Sequence, residues 1–367
     1  MKILYVNVGR PAVSGATITV KELLSRLPKF GVEVGVIEIL SKGENGLLDV
    51  YPEIRAELEE RIIVGNGKLA RLQKRLYMST IFKRKLNKIL ENYDFVIGTN
   101  NKDKKINMIY AEPFIYFPIW KFYYELVKKT NPVDGTFWFI NNMLKFREAK
   151  RNPIRNVCAG SVLKDILNKQ YNIDCIPLDP PAGVDMNEVE KVRPTMDFDA
   201  VQVSRLGLMK GTQDTIEVMK ELKERGYYKL AVAGPVDFDF NLNDKIKGTG
   251  IIYLGELSRE MVFNVMKSSR LFIYPTYVDS FGIVVAEALA SGVPVVTYDI
   301  PAIRHYFGEC EAVKIVKVGD LKSMTKASLE ILNEHERLSK IALECSKRFS
   351  WDAVASSFAS ILIKFKK

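Results

Sequence analysis

The chain has 367 residues, 47% hydrophobic and 27% charged, a composition that suits two folded domains and excludes a disordered polymer or a single small domain. Its formal charge is +10, and residues 1–150 alone hold 25 Lys and Arg against 16 Asp and Glu, so nearly all of the excess lies there. A one-sided basic field predicts an anionic partner for that half: nucleic acid, a membrane surface or a phosphorylated substrate.

The opening "MKILYVNVG" reads as a first strand rather than a signal peptide. A short loop, "GRPAVSGAT", follows, and "ITVKELLSRLPKFG" has helical spacing that stops at Gly31. "VEVGVIEI" is a β-branched strand, and "YDFVIGTN", "INMIYAEP" and "NVCAGS" predict further short buried strands. Residues 191–200, "KVRPTMDFDA", are charged and carry a proline, which reads as a linker between domains. A second α/β series begins with the strand "AVQVSRL", the helix "GTQDTIEVMKELKERG" and the strand "YKLAVAGP". It continues through the strand "GIIYLGEL", the helix "SREMVFNVMKSSR" and the strand "LFIYPTY". The helix "GIVVAEALASG" and the strand "VPVVTYD" complete it. Alternation of this kind predicts an α/β fold of two doubly wound domains, with ligands at the carboxyl ends of the strands in a cleft between them.

No apolar run reaches the length of a membrane span. Four cysteines, Cys158, Cys175, Cys310 and Cys345, are scattered without a C-x-x-C pair, so neither a zinc site nor a disulfide framework is expected and a reducing cytoplasm fits. Glutamine is scarce while Lys, Glu and Ile are plentiful, a trait of thermophilic sources.

Two segments carry chemistry. In "YPTYVDSFGIVVAEALASG" a strand ends near Tyr274, and a glycine turn at Gly282 opens a helix. The first N–H groups of such a helix form an anion site suited to a diphosphate. Glu287, one turn further, either accepts two hydroxyl hydrogen bonds from a sugar or ribose diol, or is a solvated acid on an amphipathic helix. In "VSRLGLMKGTQDT", Arg205 and Lys210 flank a strand–loop–helix junction, where two cations suit a departing diphosphate or are simply surface charges.

Together these segments resemble glycosyltransferase family 4, retaining enzymes of the GT-B fold. The family's E-x7-E stands here as Asp279-x7-Glu287 followed by "ALASGVPVV", and its R-x4-K as Arg205 and Lys210. "AVAGP" with Gly234, "IYLGELS", "AVSGAT" with Gly15 and the closing "RFSWDAVASSFASIL" match its other signatures. The resemblance implies two Rossmann-like domains facing a cleft: residues 1–190 on the acceptor side, with a C-terminal helix over 350–367 packed back on it, and 196–348 binding the nucleotide-sugar. It implies glycosyl transfer with retention, in which Glu287 holds the donor ribose, Asp279 the transferred sugar, and Arg205 and Lys210 the diphosphate. Ser280, Phe281, Gly282 and Ile283 would line sugar and phosphates, and Leu254, Gly255 and Glu256 would bracket the base. No cofactor and no metal are implied, the nucleotide-sugar being a substrate.

The chain departs from the family in two places. The first motif acid is Asp279 rather than Glu, one methylene shorter, and no histidine is available in the first domain, because His305 and His335 both lie late in the chain. Glu112, at the end of "MIYAEPF", either contacts the donor sugar in place of that histidine or is a peripheral acid near the acceptor. His305 reads as structural. "DFD" at 197–199 and 237–239 imitates a metal-binding D-x-D without the fold that uses it. Residues 68–90 hold eight Lys and Arg and no acid, and "FIYFPIWKFYYELVKK" is dense in aromatics. That pairing reads as an anionic membrane surface contact, or as core aromatics with a solvated basic face. Nucleic acid is not expected, because no nucleic-acid motif accompanies the charge. The expectation is a cytoplasmic, metal-independent hexosyltransferase, peripheral on the inner face of the membrane, acting on a lipid-linked or polysaccharide acceptor. Its rivals are a degenerate GT-B protein that binds nucleotide-sugar or glycan without turnover, and a GT-B sugar-nucleotide epimerase.

Overall fold

The computed structural model describes residues 1–8, 15–65, 88–98, 104–109, 155–237 and 240–366. Glu112 and the basic and aromatic stretches, apart from residues 88–90, lie outside these. The described residues form two compact units, one drawn from Met1–Tyr110, Lys145–Pro181 and Trp351–Lys367, the other from Ala182–Ser350.

In the first unit β1 (Lys2–Val8), β2 (Glu33–Ser41), β3 (Glu57–Val64) and β4 (Phe95–Ile97) form a parallel sheet in the order β3-β2-β1-β4. A second parallel sheet joins β5 (Asn107–Ile109), β6 (Asn156–Ala159) and β7 (Ile176–Leu178) in that order. The helix Gly15–Arg26 tightens into a 3-10 turn at Leu27–Phe30, where Pro28 removes an amide donor, and ends on Gly31 in the left-handed region. The helix Trp351–Lys366 packs on Gly15–Arg26, burying Trp351, Val354, Phe358 and Leu362, and Asp352 pairs with Arg26 and Lys29. β3 escapes the sequence reading because "ELEERIIV" interrupts its apolar positions with four charges, which suits its place at the edge of its sheet.

The second unit is one parallel sheet of six strands. β8 (Ala200–Val203), β9 (Leu230–Ala233), β10 (Ile252–Tyr253), β11 (Phe272–Tyr274), β12 (Val295–Tyr298) and β13 (Val313–Val316) run in the order β10-β9-β8-β11-β12-β13. β8 and its two neighbours are apolar apart from Gln202 and buried on both faces, as a helix-covered parallel sheet requires. The strand order reverses between β8 and β11, and the crevice at the carboxyl ends of those two strands is where a doubly wound sheet takes its ligand.

Two sequence expectations change. Residues 191–200 belong to the second unit rather than forming a free linker: Val192 and Phe198 are buried, and the Thr195 and Met196 amides bond Asn264 and Ser268. The chain passes between units at Pro181 and again at Ser350. The cysteines are not independent either. Cys158 bonds Cys175 and Cys310 bonds Cys345. The first bridge joins Cys158 in β6 to Cys175, the buried residue just before the neighbouring strand β7, and the second reaches across 35 residues of sequence. Neither leaves a spacing signature, because strand pairing and helix packing bring the partners together. Intracellular proteins of hyperthermophiles carry such bridges, which agrees with the thermophile-like composition.

Candidate functional site

The loop after β8, from Ser204 to Gly211, presents Arg205 and Lys210. Two buried contacts fix it: Gln202 of β8 donates from Nε2 to the Lys210 carbonyl at 2.9 Å, and the Gly207 amide donates to the Thr212 hydroxyl at 3.0 Å. Gly211 sits in the left-handed region, and a Cβ there would lie 2.0 Å from the Pro275 carbonyl oxygen. Only glycine lets this loop rest against the loop that follows β11. The Tyr277 amide donates a hydrogen bond to the Met209 carbonyl, which ties the two loops together.

The loop after β11 carries Asp279 back to Lys210. Lys210 Nζ donates to Asp279 Oδ2 at 2.8 Å and to the Val278 carbonyl at 3.2 Å, above the ring of Tyr274. The Tyr274 hydroxyl donates to Asp279 Oδ2 at 2.7 Å. Asp279 Oδ1 accepts the Phe281 and Gly282 amides at 3.2 and 2.9 Å. One carboxylate thus receives an ammonium, a phenol and two main-chain amides. Burial works against its charge, yet Lys210, Tyr274 and the amides prevail and hold the Asp279 carboxyl below the usual carboxylate range. Burial, then the adjacent Asp279, pushes the Tyr274 phenol well above its ordinary value. Arg205 stands apart, 60% exposed, with Asp237 at 3.7 Å.

Gly282 lies in the left-handed region and opens the helix Ile283–Ala290, whose residues from Val285 onward are buried. Three β-branched residues begin this helix, so burial against the helices Arg259–Lys267 and His335–Ser346 holds it rather than intrinsic propensity. Glu287, its one charge, is buried with its neighbours. Bringing a carboxylate there is costly unless it is paired. Arg259 supplies the pair, donating from Nη1 to Glu287 Oε1.

The loops after β9 and β10 complete the set. The Gly234 amide donates to the Gly255 carbonyl at 2.8 Å, and a Cβ on Gly234 would lie 1.9 Å from the Ser204 carbonyl oxygen. Only glycine at 234 allows this close approach of main chains. Leu254 and Gly255 are half-buried and Glu256 is exposed.

Of the predicted residues, Arg205, Lys210, Gly234, Leu254, Gly255, Glu256, Asp279, Ser280, Phe281, Gly282, Ile283 and Glu287 all belong to the second unit. Lys210 contacts Asp279 directly, and Gly234 contacts Gly255 directly. Gly15 opens the first helix of the other unit. Phe281 is buried among Tyr306, Phe307 and Phe349, so its ring packs the core while only its main chain serves the loop. Sequence reasoning missed Gln202, Tyr274 and Arg259. Tyr274 had a signal in its place at the very end of a strand, and Arg259 in being a cation at a helix start. Gln202 had none beyond being one amide in an apolar strand. Among the described residues no three His, Cys, Asp or Glu side chains converge as metal ligands, and no helix is long and apolar enough to cross a membrane.

Residues 185–347 match the family model for glycosyl transferases group 1. The chain is 30% identical over 115 residues to phosphatidyl-myo-inositol mannosyltransferase of Mycobacterium leprae, covering 30% of this chain and 31% of that one. It therefore spans about a third of the length of such curated relatives. Its fold resembles sucrose-phosphate synthase from Thermosynechococcus elongatus, at a TM-score of 0.72, 15% identity and coverage of 99% and 98% of the two chains. It also resembles Anabaena Alr3699/HepE in complex with UDP-glucose, at a TM-score of 0.65, 14% identity and coverage of 99% and 100%. The segment 185–347 thus carries the pattern of the glycosyl transferases group 1 family, and the chain has the GT-B fold.

Proposed function

We propose that the protein transfers a sugar from a nucleoside-diphosphate sugar to a lipid-linked or polysaccharide acceptor, with retention at the anomeric carbon. The observation that carries this reading is the convergence of Lys210 and the amide-rich start of the Ile283–Ala290 helix at the strand-order reversal between β8 and β11. A diphosphate docks where a cation and free helix amides meet. As the bond from the anomeric carbon to the phosphate oxygen breaks, charge grows on the leaving diphosphate, and Lys210 and Arg205 stabilise it. These cations do the work a metal does in other transferases. The leaving phosphate oxygen takes the proton of the acceptor hydroxyl, whose oxygen bonds the anomeric carbon on the same face. Asp279 holds Lys210 in place, and Glu287 takes the ribose diol. The nucleotide complexes solved for a protein of like fold, and the mannosyltransferase among the relatives, favour this donor class. The basic excess of residues 1–150 supports an enzyme working in the cytoplasm against an anionic leaflet.

The test is a thermal-shift screen of UDP-, GDP- and ADP-sugars without added metal and with chelator, followed by slow hydrolysis of the stabilising donor. Specific binding raises the midpoint by mass action. Proton NMR of the first product should show the donor's own anomeric configuration. A donor that stabilises the protein but is never turned over, with or without metal, would leave only a binding protein.

A further inference from the structure

Arg259 is placed against a local rule. It is the first residue of the helix Arg259–Lys267, where the dipole disfavours a cation. It is held there from several sides: Nη1 donates to Glu287, Nε donates to Glu188 at 3.3 Å, and the guanidinium lies 4.5 Å over the Phe263 ring. Two carboxylates on separate helices thus converge on one guanidinium. Yet Nη2 is buried and has no partner among the described residues. A buried charged donor left without an acceptor is costly, and sites that break a local rule are where function is expected.

The Glu287–Arg259 pair offers an acceptor and a donor side by side. A hydroxyl is the group that fits both at once, because it gives one hydrogen bond and receives others. We propose that Arg259 is a positioning residue of the nucleoside end of the site. It fixes the Glu287 carboxylate in one orientation, and its unpartnered Nη2 donates to the ribose hydroxyl oxygen whose proton goes to Glu287. The pair would thereby select ribose over deoxyribose. This rests on the donor-site reading above, and the experiment separates the two.

UDP, GDP and ADP, each with its 2′-deoxy counterpart, are titrated calorimetrically into the wild-type full chain and into Arg259→Lys, Arg259→Gln and Glu287→Gln. For the nucleotide that binds best, the wild type should prefer the ribonucleotide by on the order of tenfold to a hundredfold, the worth of a charge-assisted hydrogen bond. Arg259→Gln should bring that ratio close to the value in Glu287→Gln, and Arg259→Lys, which folds with the charge kept, should lose most of it because an ammonium cannot reach both partners in the same plane. In the Glu287→Gln background, Arg259→Lys should change the ratio little further, because both act on one hydroxyl. If Glu287→Gln abolishes the preference while both Arg259 variants keep the wild-type ratio, the inference is overturned and the donor site stands. If Glu287→Gln also leaves the ratio unchanged, or no diphosphate binds, the donor-site reading fails and takes this inference with it.

Discussion

Replacing Lys210 by methionine removes a cation and keeps most of the side-chain bulk. It deletes the 2.8 Å bond to Asp279, the 3.2 Å bond to the Val278 carbonyl and the contact with the Tyr274 ring. Asp279 keeps the Tyr274 phenol and two amides, but burial then outweighs them. Breaking a fully buried pair costs about 3–5 kcal/mol. Here the side chains of Lys210 and Asp279 retain 26% and 17% exposure, and solvent screening reduces the loss to roughly 2 kcal/mol. The pH dependence has a definite sign. In the wild type the Asp279 carboxyl is held below its ordinary value, so its stabilisation is present above about pH 4 and is lost as pH falls through the lower folded value. In Lys210→Met that contribution is already missing, so the deficit should be larger at pH 7 than at about pH 3, where the wild type is losing it too. Urea unfolding of Lys210→Met, Asp279→Asn and the double variant measures this. The double variant should recover part of the stability, because no lone buried charge remains, giving a coupling of about 1–2 kcal/mol. Its activity should not recover, because the diphosphate still lacks its cation, and Lys210→Met should lose more kcat than donor affinity. Single effects that add within about 0.5 kcal/mol would refute the pairing argument, and a change confined to KM would refute the role in the leaving step.

Further outcomes are expected elsewhere. The Cys158–Cys175 and Cys310–Cys345 bridges close loops of 17 and 35 residues, so each Cys→Ser pair should cost about 3 and about 4 kcal/mol respectively; non-reducing mass spectrometry that finds four free thiols would remove that expectation. Burial lowers the His335 imidazole, with the Arg270 charge adding to it and the Arg270 carbonyl and Glu336 opposing. Its folded value lies below the ordinary one of about 6.5, so stability is present above that value and is lost as pH falls through the folded value. Between pH 7.5 and 5, His335→Asn should therefore lose less thermal stability than the wild type, and equal losses would count against a titrating His335. The segment 68–90 should carry the protein onto anionic vesicles at low salt and release it at high salt, with Lys83→Gln, Arg84→Gln and Lys85→Gln together weakening binding. Vesicle binding that ignores salt would assign the attachment to apolar contacts instead.

The sequence alone determined the alternation of strands and helices, because an apolar run bounded by glycine leaves few options locally. "AVQV", "LAVA" and "VVTY" are strands in any α/β setting, and Gly282 marks the turn that opens a helix. It also marked Arg205, Lys210, Asp279 and Glu287 by spacing. It did not show β3, whose charges disguise an edge strand, nor the two disulfides, whose cysteines meet only when separate elements pack. Above all, the partners of the motif carboxylates were decided by tertiary structure. Asp279 is spent on Lys210, Tyr274 and two amides because the reversal of strand order sets the loops after β8 and β11 side by side. Glu287 can be buried because Arg259, 28 residues earlier, reaches it from a different helix. Linear spacing says which side chains share a face of one element; only packing between elements says which charges meet, and with them which atoms remain for a ligand.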